Sequence, residues 1–116
     1  MTFDTALPDP DVAGAALGLR DGTVAFSNPS HPTQRANMSL FLGQYDSATG
    51  GGVTQGIKWD AGTPLSDGGA AVPAAYSALF ESRDEAVGIL WETQGDEAFE
   101  GCTGGYCSIV LSVIKR

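Results

Sequence analysis

Short runs of alternating apolar and polar residues follow one another along the chain, and turn signals separate them. A period of two is typical of β-strands, whose successive side chains point to opposite faces of a sheet. Arg20-Asp21-Gly22 is one such turn, because Asp-Gly favours a hairpin. With no sustained helical period, the pattern predicts an all-β chain with strands at 15–19, 23–27, 38–42, 53–59, 76–81, 87–91 and 107–114.

Glycine and proline mark the connections between these strands, in a composition of 16 Gly and 6 Pro. Residues 28–33 are predicted as a loop, because their two prolines cannot donate to a strand ladder. Residues 46–52, with three consecutive glycines, predict a flexible loop, and 62–69 a turn-rich link. In the last strand the alternating apolar positions are Ile109, Leu111 and Val113.

A short repeat links the two halves of the chain: four residues recur at one constant offset, Ala15, Arg20, Asp21 and Val24 as Ala78, Arg83, Asp84 and Val87. Each set spans a strand, a turn and a strand, followed by a loop and another apolar strand. Such a unit is typical of one four-stranded propeller blade. We therefore predict one domain, 1–116, with blade-like units at about 7–62 and 70–116, the second one strand short. Because blades bury their faces against neighbours, a longer chain, a partner or further copies must complete the fold.

The formal net charge is −8, from 14 acidic and 6 basic residues. This balance argues against nucleic acid and anionic membranes as partners, because both require a basic surface. It still permits an anionic ligand if a few arginines converge. No apolar run is long enough to span a bilayer and no signal peptide is visible, so the localisation stays open.

Cys102 and Cys107 flank Thr103-Gly104-Gly105-Tyr106. We interpret them as two reduced thiols on either side of a hairpin turn; a small disulfide ring in an oxidising compartment is the alternative. A metal site would need further Cys or His, and His31 is the single histidine. We expect no metal and no organic cofactor.

Two phrases point to a family. The first is SNPSHPTQRAN at 27–37, and the second is AYSAL at 75–79 followed by VGILWE at 87–92. In this order and approximate spacing they resemble the closing blades of the exo-α-sialidases (neuraminidases), whose propeller has six blades. The resemblance covers nearly the whole chain from Leu7 onward, and it implies a partial sialidase-type β-propeller made of about two antiparallel blades.

The resemblance also implies three site residues. Arg35 matches the third arginine of the family's triad, and a planar guanidinium pairs well with the carboxylate of sialic acid. Tyr76 matches the catalytic tyrosine, a nucleophile that the substrate's own carboxylate does not repel and that needs a neighbouring base. Glu92 matches the glutamate that orients the triad's first arginine.

Each residue also has a structural interpretation. Arg35 would be a solvated arginine at a strand start, Tyr76 a packed strand tyrosine, and Glu92 an exposed acid. The sequence departs from the family at Ala78 and Trp91. It lacks counterparts of the first two arginines, the general-acid aspartate and the glutamate that activates the tyrosine.

The leading hypothesis is therefore part of a retaining sialidase that binds and cleaves terminal sialic acid on glycans once further blades complete it. Whether the chain is an enzyme by itself stays open. One alternative is a lectin-like oligomeric propeller that binds sialic acid without turnover. The other is a small β-protein derived from a sialidase and serving another function.

Overall fold

The computed structural model describes residues 7–8, 10, 13–46, 56–66, 73–93 and 106–116. The secondary structure of these residues is entirely β, which confirms the all-β prediction. No helix that could cross a bilayer occurs in this part of the chain. The eight strands are β1 (Ala15–Gly18), β2 (Val24–Pro29), β3 (Met38–Asp46), β4 (Gly56–Trp59), β5 (Thr63–Pro64), β6 (Ser77–Glu81), β7 (Val87–Thr93) and β8 (Ser108–Ile114).

The strands form two antiparallel sheets. The first sheet has the order β1-β2-β3-β4, and the short β5 also pairs with β3. The second sheet has the order β6-β7-β8, one strand fewer along its path. The blade-like units at 7–62 and 70–116 stay a prediction, because a single core joins the two sheets.

Strand boundaries differ from the predictions mainly at the loops. β2 continues through Asn28 and Pro29, so the predicted loop start at residue 28 is wrong. Proline is tolerated there because it ends the strand, and the next backbone N–H, of Ser30, donates to the Asn37 carbonyl at 2.9 Å. β3 extends to Asp46, and β5 lies inside the predicted link 62–69. Residues 47–55, with the three glycines and the start of the predicted fourth strand, lie outside the described residues.

The core lies between the two sheets. We call the faces that pack against each other the inner faces and the opposite ones the outer faces. Ser27 Oγ and Ser77 Oγ, one from each inner face, lie 2.8 Å apart. Trp91 donates its indole N–H to Ser112 Oγ at 3.0 Å, so its buried polar atom is satisfied. The buried core residues are Leu19, Ala25, Met38, Leu40, Ala74, Val87, Ile89 and Trp91.

The orientation of β8 differs from the simplest interpretation of its pattern. Ile109, Leu111 and Val113 lie on the outer face of the second sheet and are 73%, 54% and 52% exposed. The half-buried inner face instead carries Val110 and Ile114, which pack against the core. Because both faces of β8 carry apolar residues, the alternation does not tell which of them is inside.

Hairpins β1–β2 and β6–β7 share one register at an offset of 63 residues. Ala15 lies opposite Ser27 in the first hairpin, and Ala78 lies opposite Leu90 in the second. The repeat therefore extends beyond the four matching residues to the pairing of both strands.

The turns of the two hairpins also correspond. The left-handed position falls on Gly22 in the first turn (φ 90°) and on Glu85, 63 residues later, in the second (φ 66°). In the first turn Leu19 N–H donates to Thr23 O at 2.8 Å; in the second the equivalent bond, 2.9 Å long, joins Ser82 to the residue before β7. The two hairpins are thus copies of one backbone unit.

Candidate functional site

The three predicted site residues lie at the same end of the sheet pair, which we call the site end. Here β2 and β7 finish, and β1, β3, β6 and β8 begin. The pairing of Ser27 with Ser77 joins the two sheets at this end. The hairpin turns lie at the opposite end, the turn end.

Arg35 belongs to the loop between β2 and β3. His31 Nδ1 accepts hydrogen bonds from the backbone N–H groups of Thr33 and Gln34, at 3.2 and 2.9 Å. The bond from Ser30 to Asn37 closes the base of the loop. His31, expected only to be a loop residue, therefore holds the segment immediately before Arg35.

The backbone of Arg35 contacts the segment that leads to Tyr76. The Arg35 carbonyl accepts the N–H of Ala74 at 2.9 Å, and Ala36 forms a bridge with Pro73. One residue, Ala75, lies between Ala74 and Tyr76, a span of at most about 7 Å. The backbones of Arg35 and Tyr76 are thus neighbours along the site end, although 40 residues lie between them in the sequence.

Tyr76 and Glu92 form a backbone pair at the end of the second sheet. Glu92 N–H donates to the Tyr76 carbonyl at 3.0 Å, and Tyr76 N–H donates to Glu92 Oε2 at 3.4 Å. Ala75 N–H donates to the Glu92 carbonyl at 3.3 Å. Two of the predicted site residues therefore lie side by side, and the Glu92 carboxylate faces the backbone N–H of Tyr76.

Tyr76 is 50% exposed, so it is not a packed core tyrosine. It lines a shallow depression of about 250 Å³ together with Glu92 and the residues Ser77, Ala78, Leu90, Trp91 and Ile109. Arg35 is not part of this lining, and the depression therefore joins only two of the three predicted residues.

Arg35 is exposed, and its side chain makes no hydrogen bond or ion pair with another described residue. The phenol of Tyr76 likewise has no hydrogen-bond partner among the described groups. An exposed guanidinium and an exposed phenol at one end leave donors available to an anionic, hydroxylated ligand.

The turn end holds an ionic cluster that sequence reasoning did not find. Glu81, whose side chain is 9% exposed, forms ion pairs with Arg20, whose Nε lies 3.2 Å away, and with Arg116, whose Nη2 lies 3.6 Å away. Arg116 Nη1 also bonds Asp21 Oδ2 at 2.7 Å. The cluster connects the turn of the first hairpin to the second sheet and to the chain's last residue. It needs tertiary packing, so no local signal predicts it.

Asp21 has a lowered pKa because several donors stabilise its carboxylate. The backbone N–H of Thr23, which donates at 2.9 Å, is the largest cause. The Thr23 side chain and Arg116 add to it, and together they lower the pKa of Asp21 from 3.8 to about 2. This carboxylate is engaged in the turn.

Cys107 is disulfide-bonded, so the interpretation of two reduced thiols is wrong. Cys102, the other cysteine of the sequence, lies outside the described residues. The described part of the chain contains no group of three or more His, Cys, Asp or Glu side chains that could hold a metal ion.

No protein-family model matches the chain, and no solved structure matches it significantly.

Proposed function

We propose that the chain is a two-sheet part of a sialidase-like β-propeller, which binds terminal sialic acid and cleaves it once further sheets complete the site. The observation that supports this most is that Arg35, Tyr76 and Glu92 share one end of the sheet pair. The strand order also supports a propeller, whose blades are four-stranded sheets: the first sheet has four strands along its path, and the second sheet has three.

In this proposal Arg35 pairs with the carboxylate of the sugar, because guanidinium and carboxylate form parallel charge-assisted hydrogen bonds. Tyr76 presents its oxygen to the anomeric carbon. Glu92 braces an arginine that the rest of the ring supplies.

Cleavage needs groups from outside the chain. As the tyrosine oxygen bonds to the anomeric carbon, a base must take the phenol proton and a general acid must protonate the departing alcohol. Water then hydrolyses the tyrosyl intermediate with net retention. Among the described residues no carboxylate contacts the Tyr76 phenol, and this observation favours a second candidate, a sialic-acid-binding module without turnover.

Titration calorimetry with a sialoside tests binding, and hydrolysis of a fluorogenic sialoside tests turnover. We expect the chain to bind the sialoside. If an assembly with further sheets also hydrolyses it, Tyr76→Phe should reduce the hydrolysis rate by about 10³-fold or more, because the attacking oxygen is lost. Tyr45→Phe, which removes the same atom from an exposed tyrosine at the turn end, is the matched control.

Binding without hydrolysis would select the lectin-like module. Hydrolysis that is unchanged in Tyr76→Phe would remove the nucleophile assignment. Absence of binding would leave a small β-protein with another function.

A further inference from the structure

The outer face of the second sheet is exposed and apolar. Its large side chains, 42–73% exposed, are Phe80, Leu90, Ile109, Leu111 and Val113. The Phe80 ring lies across Gly88, where an added Cβ would meet ring atoms at 2.1 Å. Glu92, at the site end, is the only charged residue at the described positions of this face. A contiguous apolar surface with so little charge is typical of an interaction site.

The repeat identifies the equivalent of this face within the chain. At the offset of 63 residues, the inner-face residues of the first sheet correspond to outer-face residues of the second sheet. Leu17 corresponds to Phe80, and Ala25 to Gly88. Because the inner face of the first sheet is buried against another sheet, its exposed counterpart is expected to bind a sheet in the same way.

The same offset identifies the surface that fits. The inner face of the second sheet, with Val87 and Ile89, corresponds to the outer face of the first sheet, with Val24 and Phe26. That outer face is also apolar, although less exposed: the half-buried rings of Phe26 and Trp59 pack with centroids 5.9 Å apart, Phe41 is buried, and Tyr45 is 64% exposed. None of its described positions carries a charge.

We propose that a second copy of this chain covers the exposed face, packing the outer face of its first sheet against the outer face of the second sheet. Each contact repeats, between copies, the contact that joins the two sheets inside one copy. The net charge of −8 opposes association, and salt at physiological ionic strength screens this repulsion beyond about 8 Å.

The contact is head-to-tail, since two different surfaces meet. Contacts of this kind continue from copy to copy and form a ring when the rotation closes. Tyr76 and Glu92 lie at the edge of the covered face, so each copy would place its next neighbour beside the candidate site. The proposal rests on the repeat and the apolar faces, and it does not require sialic acid.

Two substitutions that each introduce a charge test this head-to-tail association, with the mass of each variant and of their mixture measured by light scattering. Leu111→Glu blocks the outer face of the second sheet, and Tyr45→Glu blocks that of the first sheet. We expect the wild-type chain to form assemblies, each variant alone to be monomeric, and an equimolar mixture to form a complex of two chains, because each variant keeps the face that the other lacks.

Thr33→Glu is the control, because it adds the same charge at an exposed loop position outside both faces. It should assemble like the wild-type chain. Circular dichroism checks folding, and Ile109→Glu, at a 73% exposed position, replaces Leu111→Glu should that variant unfold. A wild-type chain that stays monomeric up to its highest soluble concentration would overturn the proposal. So would self-association of Tyr45→Glu alone, which would mean that like faces meet. Light scattering measures the mass of the assembly and not sialoside binding, so failure of this proposal can be told apart from failure of the proposed function.

Discussion

The two ends of the sheet pair use their charged side chains in opposite ways. At the turn end, Arg20 and Arg116 pair with Glu81 and hold the two sheets together. At the site end, Arg35 is exposed and makes no ion pair with another described residue, while Tyr76 is half exposed. Removing one partner of a largely buried ion pair leaves the other charge uncompensated and lowers stability, whereas an exposed, unpaired charge is available to a ligand. Changes at the turn end should therefore affect stability, and changes at the site end should affect binding.

Among the changes to charged residues, loss of Arg35 should have the largest effect. In the proposed function Arg35→Ala removes a charge-assisted contact to the sugar carboxylate, so we expect sialoside affinity to fall about ten- to hundredfold with little change in melting temperature. Titration calorimetry measures the affinity. Arg83→Ala is the matched control, because Arg83 is an exposed arginine in the turn of the second hairpin. Equal losses in both variants would mean that only overall charge matters.

Loss of the Glu81 carboxylate should affect stability instead. Glu81→Gln weakens its contacts with Arg20, including the backbone N–H donated at 3.0 Å, and with Arg116. Because the side chain is nearly buried, we expect a loss of about 1–3 kcal/mol in the free energy of unfolding. Urea denaturation measures it. Glu92→Gln makes the same change at the site end and should lower the free energy of unfolding by less. A larger loss in Glu92→Gln than in Glu81→Gln would contradict the structural role of Glu81.

Acid should weaken the turn end gradually. The pKa of Asp21 is lower in the folded chain, about 2, than its ordinary value of 3.8, so its contribution is complete above pH 3.8 and is lost as the pH falls towards 2. Melting temperatures measured across this range should fall less in Asp21→Asn than in the wild-type chain. An identical pH dependence in both proteins would show that Asp21 does not contribute.

Local patterns predicted the strands well, because alternation and turn residues act over a few positions. The miss at Pro29 arose because a strand end tolerates proline, and β5 was missed because two residues give no period. The resemblance identified three residues that lie at one end of the sheet pair, although only Tyr76 and Glu92 line a common depression. The ionic cluster and the exposed face of β8 were not predictable, since both depend on how the two sheets pack.

The most direct test is to map the amide chemical shifts of the isotope-labelled chain as a sialoside is added. We expect the largest changes to cluster at the site end, around Arg35, Tyr76 and Glu92, and the turn end around Glu81 to stay unchanged. Shifts concentrated at the turn end, or none at saturating sialoside, would contradict this expectation.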